Sequence, residues 1–471
     1  AKYTNNSDLI VGIPILGTDN HAKTSVNTVL PLRSQLSQDL TFKDVLLQVK
    51  EDTVSAYVNQ NYPVDKVSQL LELSSYQNRC PLFDVVVLLK TIHSYDDAIA
   101  LNNDVTISFD IENDCIKGTL EYSDALFVDG MMDAIAKCYT TLVDCVINQL
   151  DIKLADITFL DSADRFQLLA SFNNNHRIYP LEQTISTLID KQVDQTPDNI
   201  AAVWQDTQLT YQELNAKANQ VARLLQSLGL KPGEFVGILK DRDINFLIAI
   251  LAIHKAGGAY VPIDSTYPLD RISYMLSNSQ VSFLLTDHLA LEVLNNLPDS
   301  FAELKHVICL DSSSEKLANP QLSQVSIYRQ DDFLQLPQEN LDTSSQATDS
   351  AYMLYTSGST GLPKGSIIRH DGAINHIYGQ IDALALHKGF NFLQSAPASS
   401  DISVWQFLGP LLTGGKTVIV DTETVCNPEQ LFNVIKAEQL TLVELVPIVL
   451  RGLIEHSTQL LSDQRLLPDL S

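Results

Sequence analysis

The stretch Thr356-Ser357-Gly358-Ser359-Thr360-Gly361-Leu362-Pro363-Lys364-Gly365 gathers the groups that hold phosphate. With Tyr355 it places three glycines, five hydroxyls and one lysine in eleven residues. Glycines let the backbone turn at positive φ and approach a ligand closely. Hydroxyls and freed N–H groups can then face phosphate oxygens, and Lys364 adds a point charge. The spacing is not that of a Walker loop, because Gly358 and Gly361 lie three apart and Lys364 follows Pro363. A Ser/Thr/Gly run is also the composition of a solvated linker. An apolar run at 351–355 leads directly into this one and reads as a buried strand, which favours the phosphate reading.

Asp401 sits in Ser400-Asp401-Ile402-Ser403-Val404-Trp405-Gln406-Phe407, beside apolar neighbours, where an unpaired carboxylate is costly. An ammonium partner would offset that cost. The same aspartate could cap a helix running through Trp405 and Leu411, and the two roles are compatible. Glu444 stands in the apolar run 440–447, which reads as a buried strand with one carboxylate in its middle. Such a group needs a partner or a shifted pKa. A register one residue off would turn it to water or to Arg451. His370 reads as structural, at the start of a helix with no nucleophile near it in sequence. Lys416 reads as a solvated turn residue ahead of a strand.

The elements that must position these groups follow two patterns. From residue 186 onward, strands and helices alternate. Thr210 and Glu213 form a capping box, followed by Leu214, Ala218, Val221, Leu224, Leu225 and Leu228 at helical spacing and a stop at Gly229. Strands are expected at 235–239, 259–263, 281–285, 307–310 and 417–420, with a helix from Asp243 to Ala256 stopped by Gly257-Gly258. This alternation implies an α/β fold with a mainly parallel sheet covered on both faces. Ligands in such sheets sit at the carboxyl ends of strands, where the glycine- and hydroxyl-rich stretch lies. Residues 1–150 lack the repeat. They read as α+β, with strands at 26–32, 83–89, 105–109 and 118–122 and helices at 42–60 and 126–150. Residues 151–185 read as a connector, in which Asp161 caps a short helix to Leu169 and a polar cluster at 173–176 breaks it.

A chain of 471 residues suffices for two or three domains, and a hydrophobic content of 45% marks it as globular. The formal net charge of -26 argues against general binding to nucleic acid or anionic membrane. The six cysteines form no C-x-x-C pair and read as reduced thiols of a cytoplasmic protein. The histidines show no H-x-H or H-x-x-x-H spacing, so no zinc site is expected. No apolar run reaches transmembrane length, and no signal segment follows Ala1. The chain opens in mid-pattern and ends on Leu467-Pro468-Asp469-Leu470-Ser471, so it is expected to be a segment of something longer.

Thr356 to Gly365 resembles the signature loop of the adenylate-forming enzymes, which include acyl-CoA ligases, luciferases and the adenylation domains of nonribosomal peptide synthetases. Two further stretches resemble motifs of an adenylation domain, the second of them distinctive of the amino-acid-activating branch. One is Leu209-Thr210-Tyr211 with Leu214-Asn215. The other is Lys255-Ala256-Gly257-Gly258-Ala259-Tyr260-Val261-Pro262-Ile263-Asp264, with Tyr267-Pro268 and Arg271. Upstream, Val26-Asn27-Thr28-Val29-Leu30-Pro31-Leu32-Arg33, Asn61-Tyr62-Pro63-Val64 and Arg79-Cys80-Pro81-Leu82-Phe83 resemble the C-terminal half of a condensation domain from the same synthetases. Thr24-Ser25 depart from that family's usual Gly-Phe lead-in. Its His-His-x-x-x-Asp-Gly motif does not occur in the chain, so this half is assigned no catalysis. Phe172-Asn173 and Tyr179-Pro180 resemble the linker between the two domains.

The resemblance implies a condensation half-domain at 1–150, a linker at 151–185 and the first part of an adenylation domain at 186–471. It implies ATP and Mg2+ as cofactors and an amino acid as substrate. A carrier-protein domain bearing phosphopantetheine is the implied partner, and neither nucleic acid nor membrane is expected. By the motif match, Thr356, Ser357, Gly358, Ser359, Thr360, Gly361 and Lys364 hold phosphates, Lys364 as the catalytic residue, and no metal ligand is assigned. Asp401 holds the α-amino group, and Ile402, Trp405 and Glu444 line the side-chain pocket. Ser400 stands where the family usually has Phe. Trp405 and Glu444 together suggest an aromatic wall and an anionic end, suited to a basic side chain or a strong hydrogen-bond donor. No Tyr-Gly-Pro-Thr-Glu stretch occurs, so the 471 residues alone are expected not to adenylate. The alternatives are an acyl-CoA or aryl-acid ligase and a non-catalytic scaffold module. Asp401 counts against the first, because such substrates carry no α-amino group. The intact loop counts against the second.

Overall fold

The computed structural model describes residues 4, 6–16, 27–73, 81–100, 103–297, 303–311, 323–357, 362–461 and 465–470. The chain forms two compact units, residues 1–176 and 177–471.

The first unit is built on β1 (Asp8–Pro14), β2 (Val29–Gln35), β3 (Val85–Leu89), β4 (Val105–Glu112) and β5 (Cys115–Tyr122). Their order is β2-β1-β3-β4-β5. The outer pairs run antiparallel, and β3 runs parallel to both β1 and β4. Val29, Phe83, Val86, Leu88 and Ala98 form its core. Gly12 is required by close approach, since a Cβ there would lie 2.6 Å from the Phe83 ring. Helix Phe42–Val58 opens on a capping box between Thr41 and Asp44. No residue of that helix is fully buried, and Leu46, Val49, Val54 and Val58 of its apolar set are exposed. The spacing identified the helix but not what this unit covers. Asp161 caps the short helix Ser162–Phe166, which widens into a π-turn at Gln167–Ser171. Thr24, Ser25, Val26, Arg79 and Cys80 lie outside the described residues.

The second unit carries β6 (Ile200–Trp204), β7 (Thr207–Thr210), β8 (Phe235–Leu239), β9 (Ala259–Ile263), β10 (Phe283–Thr286), β11 (His306–Cys309), β12 (Ser326–Tyr328), β13 (Ser350–Thr356), β14 (Lys364–Arg369), β15 (Phe392–Gln394) and β16 (Thr417–Ile419). They form a seven-stranded sheet, β12-β11-β10-β8-β9-β13-β14, and a four-stranded one, β15-β16-β6-β7. In the larger sheet only β14 is antiparallel to its neighbour. Parallel strands are covered on both faces, which is why they read as unbroken apolar runs. Helix Ile244–Ala256 begins where the Asp243 carboxylate accepts the Phe246 N–H at 2.8 Å and ends at Gly257, with φ 92°. All its residues but Asn245 are buried, as an all-round apolar helix must be. Arg242, just beyond β8, donates to the Val420 carbonyl at 2.6 Å and to Thr422 Oγ1 at 3.2 Å. One buried guanidinium therefore ties the loop after β8 to the chain leaving β16.

Two expectations need correction. Residues 440–447 form no strand. Leu442 makes a single parallel bridge to Phe392, Leu440 is buried and Glu444 is exposed. β15 is only three residues long, and Pro447, which has no N–H, starts the helix Pro447–Gln459. The ladder thus runs out of partners after one rung. Lys416 is not a solvated turn residue. Its ammonium donates to Glu438 at 2.7 Å, and both side chains are about four-fifths covered.

Candidate active site

β13 runs between β9 and β14. Residues 351–355 are buried, whereas Thr356, Ser357 and Lys364 are exposed. The strand therefore stays apolar until the chain emerges and turns polar there. β14 returns antiparallel, with Thr356 opposite Lys364 and Tyr355 opposite Gly365. A Cβ at Gly365 would lie 2.5 Å from Met353 Sδ, so a larger residue there would have to displace that flexible side chain. Tyr355 Oη donates to Asn278 Oδ1 at 2.7 Å and anchors the end of the strand. Gly358, Ser359, Thr360 and Gly361 lie outside the described residues. The register of β13 on β14 shifts between Ser350 and Tyr352, which leaves Ala351 as an extra residue. Its carbonyl accepts from His254 Nε2 at 3.0 Å.

Asp401 is the first residue of helix Asp401–Leu408, with Ser400 at the N-cap position. It is exposed, not sunk among apolar residues as its neighbours in sequence suggested. Its Oδ1 accepts from the Ile402 N–H at 2.9 Å and from Ser400 Oγ at 3.3 Å. A carboxylate in a helix's first turn is favoured by the helix dipole. Its charge reaches Tyr352 of β13: burial first, and Asp401 second, push that phenol up to about 12. Asp401 therefore stands close to the strand that carries the hydroxyl-rich loop. Ile402 beside it is half-buried.

Trp405 lies one helical turn further on. It is 3% exposed and packs on Phe392, with ring centroids 4.3 Å apart. Its indole N–H donates to Glu444 Oε2 at 2.7 Å. The fold thus joins two residues 39 positions apart, and Glu444 faces the indole rather than Arg451. Trp405 offers almost no surface for a ligand to stack on. Its ring orients the carboxylate instead. Gln406, fully buried, holds the same segment from the other side. Its Oε1 accepts from the N–H groups of Ser395 and Ala396, and its Nε2 donates to the Glu444 carbonyl at 3.3 Å. Ser395 Oγ donates to that carbonyl as well, at 3.2 Å. Gln406 escaped the sequence reading, although an amide inside Val404-Trp405-Gln406-Phe407-Leu408 was a usable signal. Tyr267, named above without a role, places its hydroxyl 2.9 Å from Ser399 Oγ, while the Arg271 guanidinium lies 4.0 Å from its ring centroid.

His370 is fully buried, as a structural residue should be. Burial pushes its imidazole down to about 4, partly opposed by Asp371. Among the described residues no group of three or more His, Cys, Asp or Glu could hold a metal, and no helix is long and apolar enough to cross a membrane.

A buried parallel strand thus runs into a hydroxyl- and lysine-bearing hairpin, with a helix-borne carboxylate near that strand. This architecture agrees with comparisons to known proteins. Residues 189–470 match the family model of AMP-binding enzymes, and the chain belongs to that family. Residues 1–169 match the condensation-domain model, so the chain joins the two domain types of a nonribosomal peptide synthetase module. It is 33% identical to tyrocidine synthase 3 of Brevibacillus parabrevis over 97% of this chain and 7% of that protein. It is 32% identical to gramicidin S synthase 2 of Brevibacillus brevis over 99% of this chain and 10% of that protein. The chain therefore spans a tenth or less of the length of these two relatives. Its fold is similar to that of a four-domain nonribosomal peptide synthetase solved with AMP and glycine, at a TM-score of 0.76 and 19% identity, covering 96% of this chain and 34% of that one.

Proposed function

We propose that this chain contributes to the ATP-dependent activation of an amino acid in a nonribosomal peptide synthetase. In the reaction, a carboxylate oxygen of the amino acid attacks the α-phosphorus of ATP and the bond to the β-phosphate breaks. Aminoacyl-AMP and pyrophosphate result, and the acyl group then passes to the phosphopantetheine thiol of a carrier domain. The observation that carries this reading is the pairing of two features at β13: the hydroxyl- and lysine-bearing hairpin at its end, and Asp401 acting on Tyr352 within it. Thr356, Ser357 and Lys364, with Gly358, Ser359, Thr360 and Gly361 between them, hold phosphate oxygens through hydroxyls, N–H groups and one ammonium. Asp401, exposed and anionic, takes the α-ammonium. These residues work by positioning and by complementing charge. Mg2+ would offset triphosphate charge. The described residues offer no cage for it, so no step is assigned to a protein-bound ion.

Ile402 and Glu444 line the side-chain end of the pocket, and Trp405 sets the carboxylate of Glu444. A solvated carboxylate held in one orientation favours a basic side chain. In the 471 residues alone this reading expects no adenylation, because the Tyr-Gly-Pro-Thr-Glu motif of the family does not occur in them. The test is amino-acid-dependent pyrophosphate exchange by the intact polypeptide that carries this chain. Lys364→Ala should lower exchange modestly, since a flexible lysine acts as a point charge. Gly361→Val should lower it further, because a β-branched side chain resists positive φ and intrudes on the ligand. Wild-type exchange in a folded Gly361 variant, or activity only with fatty or aryl acids and coenzyme A, would remove this reading.

A further inference from the structure

Two buried histidines carry unmatched nitrogens that fit each other. His254 lies on the buried helix Ile244–Ala256, and His370 opens the helix His370–Ala383 directly after β14. Both are fully buried, and their rings meet edge-on with centroids 5.1 Å apart. His254 Nε2 faces the Ala351 carbonyl at 3.0 Å, so that nitrogen carries the hydrogen and Nδ1 is a bare acceptor. The Ile185 N–H donates to His370 Nδ1 at 3.4 Å, so that nitrogen is bare and the hydrogen sits on Nε2. Burial keeps both rings neutral, with His254 pushed down to about 3. The two nitrogens left over, His254 Nδ1 and His370 Nε2, are buried and have no partner among the described residues. One is an acceptor and the other a donor. Buried polar atoms in folded proteins are nearly always paired. The centroid separation is close to that of two imidazoles joined by an N–H···N bond, but the rings cross at 66° and the two nitrogens do not themselves meet in hydrogen-bond geometry.

We propose that an adjustment of the two rings lets His370 Nε2–H donate to His254 Nδ1, closing a relay from the Ile185 N–H through both rings to the Ala351 carbonyl. Ala351 is the extra residue of β13 at its register shift against β14, and its carbonyl faces His254 Nε2. A bulge sets the bend of its strand. His370 follows the last residue of β14. The relay therefore grips the root of the hairpin from both strands, and it begins at the first N–H of helix Ile185–Gln195. His254 and His370 are positioning residues for the loop that the hairpin carries. Their link to nucleotide rests on the function proposed above; the relay itself does not.

The experiment has two arms. In the full chain, NMR with isotope-labelled histidine should find both rings neutral and protonated on Nε2. A through-bond coupling should join His370 Nε2 to His254 Nδ1. Protonation of either ring on Nδ1, or absence of the coupling, overturns the relay. This arm needs no variant, so a substitution that fails to fold does not shelter the proposal. In the intact polypeptide, His254→Leu should raise KM for ATP roughly tenfold, the equivalent of one lost hydrogen bond, and leave KM for the amino acid unchanged. His254→Gln, which can still donate to Ala351, should return KM for ATP to within about threefold of wild type. Equal shifts in both KM values, or none in either, overturn the positioning role. A coupled histidine pair in a polypeptide with no nucleotide activity would refute the proposed function and leave the relay standing.

Discussion

Glu444 presents its carboxylate to the indole of Trp405 rather than to a cation, which leaves its charge free for a ligand. Glu444→Gln isolates that charge, because an amide oxygen can still accept the indole N–H. The substitution should lower the preference for arginine or lysine over neutral amino acids by roughly tenfold or more, the scale of a hydrogen bond to a charged group. A substrate panel in pyrophosphate release reads this directly. Preference for Leu or Phe in both forms would show that Glu444 does not select. Asp401→Asn should raise KM for every amino acid and leave ATP nearly untouched, because its partner is common to all of them. At this scale the sequence was legible where chemistry is local. A polar run directly after a buried strand had few readings. The surroundings of Glu444 were not legible, because its partner lies 39 residues back and its apolar neighbours imitated a strand. Lys416 was misread for the same reason, since Glu438 meets it across 22 residues.

Among the elements, those with strong punctuation were readable. Capping at Thr210 and Asp243, the left-handed Gly257 and the apolar runs of β8, β9 and β13 all stand where their residues placed them. The 440–447 segment failed because strand identity depends on a neighbour, and β15 supplies too short an edge. Gly415 shows how tightly these edges are built. A Cβ there would lie 1.9 Å from the Phe390 carbonyl, and Tyr211 Oη donates to the Gly415 carbonyl at 2.7 Å. Gly415→Ala must push two backbone segments apart. It should destabilise the second unit by about 3 kcal/mol, at the upper end for overpacking. Urea denaturation followed by tryptophan emission checks it, since Trp204 and Trp405 both belong to that unit. An unchanged midpoint would contradict the close approach.

For the second unit as a whole, the buried histidines set a response to acid. Both have folded-state pKa values, about 3 and about 4, below the 6.5 of an exposed imidazole. Between those limits the unfolded chain binds more protons than the folded one. Stability is therefore complete above about pH 6.5 and falls as pH drops toward 4. Tyr260 packs on His254, and the downward push of burial is opposed by the Ala351 carbonyl at His254 and by Asp371 at His370. Hydrogen exchange in helix Ile244–Ala256 should accelerate progressively across this window, after correction for intrinsic rates. His254→Leu should flatten the dependence. The two units divide at residue 176, inside the stretch 151–185 that reads in sequence as a connector. The buried pair was not foreshadowed, since a histidine within an apolar helix gives no hint of which element will meet it.

The contact between Trp405 and Glu444 also equips the molecule with an optical gauge. The chain contains only two tryptophans. With Trp204 replaced by Phe, Trp405 is the sole indole emitter, and its N–H is bonded to the carboxylate proposed to meet the substrate. An occupant that draws on that carboxylate alters the polarity felt by the excited ring. Arrival of the amino acid can then be followed in real time, without ATP, turnover or an attached dye.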